Sequence, residues 1–232
     1  MDRYQTAVRP FAAPTESVND ILWATYRWMS LGLAITGLVA WLVSQSPSAL
    51  ETFVQNRLVF YGLMFAQLGL VIAFSSVAAR VSTAVAATMF FSYAALTGLT
   101  FSVLFLVYTS QSIAQTFFIT SGSFAGLSLF GATTKRDLSS VGRFALFALI
   151  GLIIASVVNI FLASSALMWV TTFVGVVIFA ALTAYDTQKL KQLYAQSGGA
   201  GNLALRGALT LYLDFINMFV FLLNLTGRRN QS

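Results

Sequence analysis

Neither cysteine nor histidine occurs in this chain of 232 residues, acids number only 7, and there are 3 prolines. Without cysteine, disulfides, thiol chemistry and Cys-based metal sites are excluded. Without histidine, the commonest general base, the usual zinc ligand and the usual near-neutral proton switch are gone. Charge is scarce as well. Charged residues make up 9% of the chain, where a soluble domain carries about 25%, so there is too little polar surface to face water all round. What fills the space is apolar: 58% hydrophobic residues and a mean hydropathy of +0.81. The length alone would suit one soluble domain, but the apolar runs are too long, and the composition is that of a polytopic membrane protein. The net charge of +6 fits an excess of Lys and Arg in cytoplasmic loops better than a nucleic-acid surface.

Residues Met1 to Asp20 are mostly polar and contain Pro10 and Pro14, which reads as a short disordered or surface-lying arm. The first apolar run after them is long enough to span, so it reads as a retained helix rather than a cleaved signal. A spanning helix needs about 20 mainly apolar residues. Seven stretches answer to this: Ile21–Val43, Leu58–Ala79, Ala84–Val107, Ile113–Ala132, Phe144–Leu162, Ala166–Tyr185 and Ala208–Leu225. They give a polar arm over 1–20, a seven-helix domain over 21–226 and a tail over 227–232. The third and fourth spans must turn within "YTSQS", and the fifth and sixth within "ASS".

With the N-terminus inside, the cytoplasmic side holds Arg3, Arg9, Arg27, Arg80, Lys135, Arg136, Arg143, Lys189, Lys191 and Arg206. The outer side holds Arg57, Arg228 and Arg229. That bias supports a cytoplasmic N-terminus. The two tail arginines are the misfit, and a re-entrant last segment would return them inside. Gly122 and Gly126 form a G-x-x-x-G in the fourth span, followed by Gly131. The spacing puts two glycines on one face, where a neighbouring backbone inside the bundle is expected to approach.

One residue in "LTLYLDFINMFVFLLN" does not suit oil: Asp214 is the only charge between Arg206 and Arg228. An aspartate at a membrane helix centre costs roughly 2.5–3.5 kcal/mol on the insertion scale. Three and four residues away along its helix lie Leu211, Thr210, Asn217 and Met218, none of them a cation. An intramembrane acid without a cation is a functional-site candidate by default. Only Asp186, in "LTAYDTQKLK", is another acid near a span interior. Positions 186 and 214 are equidistant from residue 200, inside "SGGAGN". An antiparallel hairpin turning there brings both acids to one depth. The plainer alternative for Asp186 is an interfacial ion pair with Lys189, three residues on.

Burial and a nearby like charge both favour the neutral carboxyl, so such a pair is expected to hold one proton and titrate as a unit. Once that proton leaves, facing carboxylates call for a cation, and hard ions with oxygen ligands, Ca²⁺ above all, suit them. A pH switch without histidine would result.

"LTAYDTQKLK" at 182–191, "GALTLYLDFINMFVFLLN" at 207–224 and "FGATTKRDLSSVG" at 130–142 together resemble the signature of the Bax inhibitor-1 (transmembrane Bax inhibitor motif) family, most closely its bacterial inner-membrane branch. The resemblance implies an all-α membrane protein in which six transmembrane helices surround a central C-terminal seventh. It also implies a pH-sensitive calcium leak through the bundle, with Asp186 and Asp214 matching the family's two aspartates. A basic residue at the cytoplasmic end of the second helix is implied as a latch, a region occupied here by Arg80. Gln67 stands in the second span where some relatives place an acid.

A likeness to intramembrane aspartyl proteases stops halfway. Tyr185-Asp186 fits the first half of that motif, but Leu211-Tyr212-Leu213-Asp214 lacks both glycines of the second. Neither phosphate-cradling nor dinucleotide glycine motifs occur, nor His or Cys triads, and no enzyme is expected. "TTKRDLS" reads as a loop in which Asp137 or Ser139 caps the fifth helix. Tyr185, Thr187, Tyr212 and Asn217 flank the acids as candidate hydrogen-bond partners. Two functions are expected to compete. One is a cation leak or exchanger, with Ca²⁺ as the transported ion and Asp186 and Asp214 as its gate. The other is a non-transporting regulator that binds a membrane protease through its polar arm.

Overall fold

The computed structural model describes residues 17–46, 48, 50, 56–197 and 202–230. Most of the polar arm, the centre of the hairpin turn near residue 200 and the last two residues of the tail lie outside these. Among the described residues the chain is all-helical. Seven long helices follow in order: α1 (Val18–Ser44), α2 (Arg57–Val77), α3 (Thr83–Phe101), α4 (Ser110–Thr133), α5 (Ser139–Leu162), α6 (Ser165–Ser197) and α7 (Leu203–Thr226). Six of them are long and apolar enough to cross a bilayer, and the apolar part of α2, Tyr61–Val77, is somewhat shorter.

Local chemistry sets the helix ends. Ser17 caps α1 through a reciprocal box with Asp20, which satisfies amides the first turn leaves open. Asn56, Ser82 and Thr109 accept from first-turn amides of α2, α3 and α4. The "YTSQS" turn works because α3 breaks at Ser102, continues as one helical turn over Leu104–Val107, and leaves only Tyr108 and Thr109 extended before α4. Asp137 accepts the Ser139 amide at 2.9 Å, at the start of α5. Its exposed carboxyl is held below the ordinary range, first by the Ser139 hydroxyl, then by that amide, with Arg143 adding to the effect.

α7 is the core. Of its apolar window 56% is buried, against 11–33% for the other five spanning candidates. α1, α3, α4 and α6 pack directly against it, whereas α2 packs on α3 and α5 on α6. The expected ring of six therefore resolves into four helices in substantial contact with α7 and two leaning on that inner set.

One alternative and one expectation are corrected. α7 is one unbroken helix of 24 residues, about 36 Å at 1.5 Å per residue, so the tail is not carried back by a re-entrant turn. It docks on the α3–α4 connection instead. Thr109 donates to the Arg228 carbonyl at 3.1 Å, Asn230 donates to the Val107 carbonyl at 2.9 Å, and the Tyr108 hydroxyl donates to Asn224 at 2.7 Å. The second correction concerns the glycines. A Cβ on Gly122 or Gly126 would meet nothing within 4 Å, so no backbone approaches there, while a Cβ on Gly131 would strike the Ala184 carbonyl of α6. The close helix contact of α4 is made by the third glycine, outside the motif.

Gly131→Ala should therefore lower stability by about 1–3 kcal/mol, the usual cost of overpacking. Gly122→Ala and Gly126→Ala should be neutral or raise stability by up to about 1 kcal/mol, since alanine is the better helix former and meets no clash there. Thermal unfolding of the three variants in detergent checks this.

Candidate functional site

α6 and α7 run antiparallel and are matched along their length. Gly175 and Phe179 of α6 lie against Phe221 of α7. Further along the pair, the Tyr194 hydroxyl donates to the Leu203 carbonyl at 3.2 Å. Between these points Asp186 and Asp214 come within hydrogen-bonding reach of each other. The equal count from residue 200 thus translates into contact, although the turn itself lies outside the described residues.

The two acids are not equivalent. Asp214 is 5% exposed, and its Oδ2 is buried without a hydrogen-bond partner among the described residues. Asp186 is half-buried. A carboxylate has only acceptors, so the two groups can hydrogen-bond each other only when a proton sits on one of them. Chemically, the arrangement can hold a proton between two oxygens or present both to a cation.

The surrounding charges are few. Lys189 acts on Asp186 through space, but its ammonium stands over the Tyr185 ring, 5.5 Å from the centroid. Arg80 lies exposed in the turn after α2. Asn202 donates to the Ala78 and Val81 carbonyls on either side of it, at 2.8 Å each. Arg80 is therefore level with the start of α7, about 18 Å along that helix from Asp214, and the structure does not bring it to the pair.

The flanking polar residues are engaged elsewhere. Tyr185 lays its ring on Gly142 of α5. Thr187 bonds the Thr183 carbonyl at 2.8 Å and the Ser128 hydroxyl at 3.2 Å. Asn217 donates to the Leu213 carbonyl at 2.8 Å. Thr36 donates toward the Gly32 and Ala94 carbonyls at 3.0 and 2.9 Å, so in its 2.6 Å bond with Tyr212 the tyrosine is the donor. None of the four candidate partners is bonded to either acid among the described residues. What sequence reasoning missed is Gln188, two residues past Asp186. It is 8% exposed, accepts the Leu138 amide at 2.9 Å and donates to the Arg136 carbonyl at 2.8 Å. It clamps the α4–α5 loop onto α6. A buried amide beside a run of lysines was the available signal.

The fold and the buried acid pair define a multi-pass α-helical membrane protein with titratable groups at a helix–helix contact. Comparison narrows the class. A family model described as "Inhibitor of apoptosis-promoting Bax1" matches residues 18–231, and the chain belongs to the Bax inhibitor-1 family. It is 46% identical over 234 residues to the inner membrane protein YbhL of Escherichia coli K12, covering 99% of this chain and 100% of that one. A protein of Deinococcus radiodurans is 47% identical over 219 residues, 93% of each chain. The protein RP147 of Rickettsia prowazekii is 41% identical over 219 residues, 92% of each. The chain is a multi-pass inner-membrane protein.

Asp214→Leu removes the one carboxyl group that, among the described residues, lies within reach of Asp186 and leaves that half-buried acid unanswered, so it should lower stability by about 1–3 kcal/mol. Thermal unfolding at neutral pH measures this, and an unchanged or higher melting temperature would contradict a stabilising contact between the two acids.

Proposed function

We propose that this protein is a pH-sensitive cation leak or exchanger of the inner membrane, with Ca²⁺ as the transported ion and Asp186 and Asp214 as its gate. The observation that carries this reading is the buried carboxyl group of Asp214, whose Oδ2 lacks a hydrogen-bond partner among the described residues, within reach of a second carboxyl group across the α6–α7 contact. With one proton shared, the pair ties the two helices together. With the proton gone, like charges in a low-dielectric interior repel, and either the helices part or a cation enters.

On this reading protons reach the pair from one side. Asp186, the more exposed acid, lies one helical turn from Lys189, and Asp214 lies about 12 Å along α7 from Arg206. Both cations belong to the side assigned as cytoplasmic by the positive-inside bias, so the proton exchanges with that side. The donor set suits a passing ion rather than a resident one. Two carboxylates fall short of the six to eight oxygens that Ca²⁺ takes, and no group of three acids exists among the described residues. Water has to complete the shell, which keeps affinity low and release fast.

Purified protein in liposomes should pass Ca²⁺ with a pH dependence set from the Lys189 side. Asp214→Asn should abolish that dependence, and Asp186→Asn should do the same. Tyr212→Phe, whose hydroxyl serves Thr36, should leave it in place. Absence of flux from folded wild-type protein at every pH would refute the transport reading.

A further inference from the structure

A groove opens sideways between α1 and α4, away from the aspartate pair. Its outer half, about 540 Å³, runs past Gly37 and Trp41 of α1 and Ile113 of α4. Its inner half, also about 540 Å³, runs past Trp23 and Tyr26 of α1 and Ala125 and Ala132 of α4. Leu33, Ala34, Phe117 and Phe215 line both halves, so the groove is continuous, floored by α7. Along α4 it extends from Ser110 to Ala132, about 33 Å, close to the hydrocarbon thickness of a bilayer. Its few polar groups are largely spent within the protein. Thr36 bonds two carbonyls, and Ser121 donates to the Phe117 carbonyl at 2.8 Å. Such a surface takes hydrocarbon and not water.

The inner end is different. Ala132 also borders a cleft of about 310 Å³ between the α4–α5 loop and α6, where Lys135, Arg136 and Lys191 gather around one acid, Asp137. Asp137 is taken up by Ser139 and Arg143. Lys191 spends one donor on the Ala132 carbonyl at 2.7 Å, and a lysine ammonium has three. From the opposite wall comes Arg27, exposed and one helical turn from both Trp23 and Ser30, which line the groove. Trp23 and Tyr26 at this level are side chains that settle at headgroup depth.

We propose that the groove and its basic mouth form a binding site for an anionic phospholipid. One acyl chain lies between α1 and α4, and the phosphate meets Arg27, Lys135 and Arg136. The apolar channel selects a chain, and the cations select a net negative headgroup. A zwitterionic lipid satisfies only the first requirement and a free phosphate only the second.

The full chain in mild detergent, titrated with phosphatidylglycerol, phosphatidylcholine of matched chains, or inorganic phosphate, and read by native mass spectrometry, tests this. Phosphatidylglycerol should bind as a single tight adduct, with phosphatidylcholine weaker and phosphate undetected. Lys135→Ala and Arg136→Ala should each weaken the phosphatidylglycerol adduct about fivefold. Ala125→Phe, at an exposed groove position, should weaken both lipids, its melting temperature reporting that the fold is intact. Equal retention of the two lipids by wild type would overturn the proposal. So would charge variants that bind as wild type does, phosphate binding as well as lipid, or a groove filled by a second copy of the chain in the absence of lipid.

Discussion

A carboxyl group on a membrane helix must be answered by a cation, a donor or a proton, because bulk water is not there to do it. Around Asp214 the first two answers are missing among the described residues. The hydroxyls that could have served it are bound elsewhere: Tyr212 to Thr36, Thr187 to Ser128, and Tyr194 to Thr25 at 2.9 Å. Among the described residues only Asp186 comes within reach, and two acids are compatible at that distance when a proton or a cation lies between them. The contact between α6 and α7 is therefore conditional. Everything else about α7 is settled by packing, with Phe215 and Phe219 set against Phe117 and Phe124 of α4 and Tyr212 against Phe90 and Tyr93 of α3. A rigid helix with one conditional contact is a sound basis for a switch.

The two ends of the molecule are built differently. At one end the tail is sewn to the α3–α4 connection by backbone bonds. At the other end α6 runs on through Lys189 and Lys191 to Ser197. Its 33 residues span about 50 Å, well beyond a hydrocarbon core of about 30 Å. Gln188 straps the α4–α5 loop to this extension. Asp186 and the basic cleft bordered by Gln188 and Lys191 thus lie within two turns of each other along α6.

Much of this was legible in the chain itself. Apolar runs give most helix ends to within a few residues, since hydrocarbon leaves a backbone few alternatives to satisfying its own hydrogen bonds; α6 is the exception, running past Tyr185 to Ser197. Equal spacing from residue 200 put Asp186 and Asp214 at one depth. Side-chain direction was not legible. Gly122 and Gly126 carry the packing motif, yet Gly131 makes the contact, because the approach of α6 depends on how both helices tilt. Arg80 stands at the correct end of the correct helix, but Asn202 anchors its turn far from the acids.

The sequence by itself determined that this protein lives in a membrane, where its apolar helices lie, and which acid needs a partner, since each follows from transfer free energy along a single helix. Only the tertiary structure decided which groups answer that need. It turned Tyr185, Tyr212 and Asn217 to other tasks, left Lys189 over an aromatic ring, and opened a groove between α1 and α4. Those outcomes depend on the rotation of each helix about its axis, a quantity fixed by the joint packing of several neighbours and written in no one segment.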